Sequence, residues 1–316
     1  MRRRSFFTMA LLVWLTPVRV ASQDNRSSVP QETPTEISKL TQKAEGGEAA
    51  AEYTLGRRYL RGIDVHPDYK QAAKWYTAAA AKGLVAAEFD LGYLYEKGKG
   101  VPQDYRKAVQ LYRVAAEQGH ATAANNLAAM YDRGLGVAKS QQDAIHWYQV
   151  SAEHGDPTGQ CNLASAYFTG AGVRRDYQLA ERWFRAAAER ALPAAENNLS
   201  YMYFTGTGVR QDYSEAAKWT QRAAEHGYAV AETDLGYLYE EGKGVALDYV
   251  AAYMWYSLGA AGGDHRGIER LKSLSSLMTH KQLAEARTRA NAWTRSREAQ
   301  LPGDNEPADS AAALVN

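Results

Sequence analysis

The chain is predicted to be an all-α solenoid built from helix-turn-helix repeats of 36 residues, and three observations predict it. Leu55, Leu91, Leu127, Leu163, Leu199 and Leu235 recur at that spacing without an insertion or deletion. Trp75, Trp147, Trp183, Trp219 and Trp255 share a second register, with Leu111 at the same place in the remaining copy. Small residues and glycines recur between them. A period of about 20 to 50 residues means that each unit is one supersecondary element, which hides its apolar face only by stacking on the next.

Taken in chain order, residues 1–22 read as an export signal. Arg2 to Arg4 give a basic start, Phe6 to Leu15 an apolar run, and Val20, Ala21 and Ser22 a small-residue cleavage site. The apolar run is short for a bilayer span, and an uncleaved anchor is the alternative. Residues 23–35, with Pro30 and Pro34, read as a flexible leader. Residues 36–47 follow as an N-terminal capping half-repeat, and residues 48–263 as six full repeats.

The second copy shows how each repeat is specified. Ala87, Leu91, Leu94 and Tyr95 fall on one stripe of a helix, which Gly98 ends by accepting a left-handed backbone. Gly100 loosens the turn. Asp104 caps a second helix whose stripe runs through Tyr105, Ala108, Leu111, Tyr112 and Ala115. Gly119 closes it. Pro157 and Pro193 suit first helical turns in the fourth and fifth copies, and Asp156 is placed to cap its helix. Helices this short are marginal alone, so the alanines that allow close approach and the aromatics that fill the gaps between helices form the core. Residues 264–298 read as C-terminal capping helices, Arg266 to Leu277 and then Lys281 to Trp293. Residues 299–316 read as a disordered tail.

Composition excludes more than it assigns. There are 37 basic and 36 acidic residues, and removal of Arg2, Arg3, Arg4 and Arg19 with the signal leaves 33 against 36. Such a balance argues against a nucleic-acid partner. Cys161 is the only cysteine, so the chain has no internal disulfide, and no base is spaced around it to make a nucleophile. The sequence carries no His-Glu-x-x-His helix, phosphate-binding glycine loop or Gly-x-Ser-x-Gly elbow. His154 and His226 stand two repeats apart near second-helix ends, and Glu240 and Glu241 read as solvated surface charge. No catalytic residue, cofactor or metal site is expected.

Ala87, Leu91, Gly92, Tyr95, Gly98, Gly100, Val101, Asp104, Ala108, Leu111, Tyr112, Ala115, Ala116 and Gly119 resemble the consensus of the Sel-one-like repeat (SLR) family, cousins of the tetratricopeptide repeat. Three positions depart from it: Asp64 for the second turn glycine, Ser140 for the capping aspartate and Ala191 for the closing glycine. The first puts a tight turn in doubt and the third one junction. The resemblance implies a right-handed superhelix that acts as a scaffold for protein contacts, with exported bacterial members in envelope assemblies. It also brings an alternative, a β-lactamase-like or peptidoglycan-acting enzyme. This chain lacks the disulfides of such relatives and any Ser-x-x-Lys or Lys-Thr-Gly element.

The reading that follows is a noncatalytic exported scaffold, periplasmic or secreted, that holds a protein or peptide partner and does not enter the membrane once the signal is cleaved. First helices usually line the concave face of such stacks. Two of their positions are candidates for contact. One runs through Thr54, Asp90, Asn126, Asn162, Asn198 and Asp234, a ladder of groups able to bond an extended backbone or, alternatively, to tie adjacent repeats together. The other, three residues on, runs through Arg57, Tyr93, Ala129, Ser165, Tyr201 and Tyr237, of which Arg57 and the tyrosines are the contact candidates.

Overall fold

The computed structural model describes residues 34–300, and the signal, most of the leader and nearly all of the tail lie outside them. The described residues form α-helices joined by turns, with no strand among them, and divide into two compact units, 34–159 and 160–300. The first unit holds α1 (Pro34–Glu45), α2 (Ala49–Arg61), α3 (Tyr69–Ala80), α4 (Val85–Lys97), α5 (Tyr105–Glu117), α6 (Ala121–Arg133) and α7 (Gln141–Glu153). The dividing point falls within α8 (Pro157–Thr169). The second unit continues through α9 (Tyr177–Glu189), α10 (Pro193–Thr205), α11 (Tyr213–Glu225), α12 (Ala229–Glu241), α13 (Tyr249–Ala261), α14 (His265–Ser275) and α15 (His280–Gln300). Successive helices pack on one another from α1 to α7 in the first unit and from α9 to α14 in the second, and α15 returns to α13. This is the α-solenoid pattern of short connections and nearest-neighbour contacts.

Local chemistry sets the helix ends. Asp68, Asp104, Asp176, Asp212 and Asp248 each accept two backbone N–H groups at the start of a second helix, and Ser140 accepts one from Asp143. First helices end on left-handed glycines, Gly98 at φ +66° among them. The departures from the pattern keep the backbone of the residue that they replace. Asp64 holds φ +58° beside Arg58, with which it forms an ion pair, so the turn in doubt is made; Ala191 is also at φ +58°.

The recurrent leucines are the core. Leu55, Leu127, Leu163, Leu199 and Leu235 are essentially fully buried, as are Tyr76, Tyr112, Phe184 and Tyr256 of the second helices. Gly92 faces Tyr112 so closely that a Cβ there would stand 2.9 Å from the ring, and Gly56 and Gly236 face Tyr76 and Tyr256 in the same way. Where a smaller group replaces that tyrosine the glycine is replaced too: Ser200 packs on Thr220, and their hydroxyls bond. The tryptophan register is less uniform than its spacing predicts. Trp75, Trp219 and Trp255 are buried, whereas Trp147 and Trp183 are half-buried. At the C-terminal end Ala286 and Ala290 are buried and Trp293 meets Trp255 edge-on at 5.1 Å.

Candidate interaction surface

The first candidate ladder lies inside the stack except at its start, where Thr54 is exposed. Asn126, Asn198 and Asp234 are each 1% exposed and Asn162 3%. Asp90 is half-buried beside the Tyr53 and Tyr76 hydroxyls and Arg57, and burial pushes its carboxyl up to about 6. Asn126 stands beside Tyr112, and Asn198 beside the Cys161 thiol. Asp234 pairs with Arg266 of α14 at 2.8 Å. These neighbours come from adjacent helices, so the geometry is that of polar links between helices. The low-dielectric surroundings make such links costly to break.

The second candidate position is nearer the surface. Arg57, Tyr201 and Tyr237 are half-buried, while Tyr93 is buried at 5% exposure. Tyr237 accepts a hydrogen bond from Lys243 at 2.9 Å, and the Lys243 ammonium lies over its ring.

A third ladder escaped the sequence reading. Glu52, Glu88, Glu196 and Glu232 are buried one position after the conserved-spacing alanines of the first helices. Each of the first three meets a side chain that lies 30 residues on, at the end of the second helix: Lys82 at 2.6 Å, Gln118 at 2.9 Å and His226 at 2.8 Å. Arg222 adds a second partner to Glu196 at 3.1 Å. In the last repeat the equivalent place is Gly262, and Arg297 of α15 reaches Glu232 instead, at 3.0 Å across 65 residues of sequence. The recurrence of Glu with a polar residue 30 positions later was the available signal. Glu240 corrects a further expectation: it is no solvated charge but accepts the Tyr256 hydroxyl and faces Arg270.

The chemistry available is that of contact. Burial pushes the Cys161 thiol up to about 12, which keeps it protonated and unreactive at neutral pH. Among the described residues no group of His, Cys, Asp and Glu side chains is placed to hold a metal ion, and no helix is long and apolar enough to cross a membrane.

Stacked helix pairs with a polar-linked core and half-exposed tyrosines define the class: an α-helical repeat protein of the interaction-scaffold type. The family follows from the repeats themselves. The Sel1 repeat model matches residues 49–84, 85–120, 121–156, 157–192, 193–228 and 229–264, and the chain belongs to the Sel1-repeat family. A protective antigen of uropathogenic Escherichia coli strains, with an SLR fold, is 36% identical over 84% of this chain, with a TM-score of 0.74. This chain spans 56% of the length of that protein. A Sel1 repeat protein from Oxalobacter formigenes is 30% identical over 72% of this chain and 99% of its own, with a TM-score of 0.65. None of the curated proteins matches. Sel1 repeats typically build noncatalytic scaffolds for protein contacts.

Proposed function

We propose that the protein is a noncatalytic, exported adaptor of the bacterial cell envelope, which holds a peptide segment of a protein partner against the tyrosine-bearing positions of its first helices. The observation that carries this reading is the half-buried placement of Tyr201 and Tyr237, where rigid rings with polar tips remain within reach of a partner. Export is supported by the composition of residues 1–22.

The test has two arms. Fractionation with mass spectrometry should find the chain outside the cytoplasm and starting at Gln23; a cytoplasmic chain that retains residues 1–22 would overturn the export reading. Crosslinked capture from the native envelope should fall at least about ten-fold in a Tyr201→Ala, Tyr237→Ala variant, equivalent to about 1.4 kcal/mol of binding. Capture that is unchanged in a well-folded variant would rule these positions out.

A further inference from the structure

Two successive repeats in the second unit build the same three-ring arrangement, and one of the two is filled by a lysine of the chain itself. Phe204 stands 5.2 Å from Tyr213 and 6.1 Å from Tyr237, centroid to centroid. One repeat earlier Phe168 stands 5.2 Å from Tyr177 and 6.2 Å from Tyr201. The Lys243 ammonium occupies the later set, 5.3 Å from Phe204, 5.8 Å from Tyr213 and 5.0 Å from Tyr237, and donates to the Tyr237 hydroxyl.

Lys243 rises from the turn between Gly242 and Gly244, both at positive φ. The earlier set has the same turn between Gly206 and Gly208, but its side chain is Thr207, whose hydroxyl bonds Thr205 at 2.8 Å. Among the described residues no cation stands over Phe168 or Tyr201, and Arg175 reaches Tyr177 alone, at 5.4 Å. Phe204 is 9% exposed beneath its lysine and Phe168 is half-buried, while Tyr213 at the rim of the filled set is itself 36% exposed.

We propose that Phe168, Tyr177 and Tyr201 form an open cation cage that receives a lysine side chain from a protein partner. Ring faces carry negative potential, and three of them around one point attract an ammonium more strongly as water leaves. The filled set supplies the choice of occupant. It holds a primary ammonium on a four-carbon stem, with a tyrosine hydroxyl as acceptor, and Tyr201 stands where Tyr237 provides that acceptor. The partner as the source of the lysine rests on the adaptor reading; the cage itself does not.

The experiment is a titration of the full chain, carrying labelled phenylalanine and tyrosine, with N-acetyl-lysine methylamide, followed by NMR of the ring resonances. N-acetyl-norleucine methylamide, which has no ammonium, is the comparison. The lysine probe should shift Phe168, Tyr177 and Tyr201 saturably and at least ten-fold more tightly than the norleucine probe. Thr207→Lys should abolish those shifts by plugging the cage, Thr207→Val should leave them intact, and Lys243→Thr should open a second set at Phe204, Tyr213 and Tyr237. Equal binding of both probes, or lysine shifts that survive Thr207→Lys in a folded chain, would overturn the cage. If the probe binds but Thr207→Lys leaves envelope capture unchanged, the lysine does not come from the partner, and the adaptor reading is judged separately by its own capture experiment.

Discussion

At the scale of single residues, two positions depart from the chemistry that their neighbours use. Ala191 holds φ +58° where the other closing positions carry glycine, and it is exposed. A Cβ in the left-handed region costs roughly 1 to 2 kcal/mol. Glycine gives back part of that through the greater freedom of the unfolded chain. Ala191→Gly should therefore raise stability by about 0.5 to 1 kcal/mol in calorimetry; a lower Tm would show that the methyl group makes contacts worth more than its strain. His120 is the other. Its Nδ1 accepts the Ala123 N–H at 3.1 Å as an N-cap while its ring stacks on Phe89 at 4.5 Å.

Burial lowers the pKa of His120, against the smaller opposing pull of Asp156. The unfolded chain thus takes up the proton first as pH falls. The stabilisation from neutral His120 is present above about pH 6.5 and is lost as pH falls through the lower folded value. His120→Asn keeps a capping acceptor that does not titrate. Its Tm should drop less than that of the native chain between about pH 7 and about pH 5. An equal drop in both would remove His120 as the cause.

At the scale of elements, Glu52, Glu88 and Glu196 each tie the start of a first helix to the end of the second helix of the same repeat. The last repeat lacks that partner because Gly262 has no side chain, and α15 supplies Arg297, which lies over Gly227 on its way to Glu232. Desolvation raises the Glu232 pKa and Arg297 opposes it. Removing Arg297 leaves the buried Glu232 carboxylate without its partner, although the guanidinium is 38% exposed and solvent screens part of the pair. Arg297→Ala should cost about 2 to 3 kcal/mol in urea unfolding, whereas Arg295→Ala, at an exposed site on the same helix, should change stability by less than about 0.5 kcal/mol. Similar effects from both would mean that α15 is held by its apolar stripe alone.

At the scale of the whole chain, much was legible because a repeat is a local code read six times. The leucine register, the capping aspartates and the turn glycines act within a few residues of themselves, so their spacing predicted the helices of the repeats, whereas the last helix, read as ending at Trp293, runs on to Gln300. The candidate ladder was only half legible. Asn126, Asn162, Asn198 and Asp234 could be seen to share one helix position, but not that neighbouring helices cover it. Helical periodicity gives the angle between side chains, while burial depends on which helix packs against that angle.

The sequence by itself determined the helices, their caps and the membership of the chain in a repeat family, since each follows from short-range backbone preferences and a fixed period. Only the tertiary structure decided that the amide ladder faces inward, that Arg297 completes a glutamate pair 65 residues away, and that Lys243 fills one ring set while Thr207 leaves its twin open. Those outcomes depend on groups far apart in the chain meeting at ångström distances, and a periodic pattern records that two residues are equivalent without recording what each one touches.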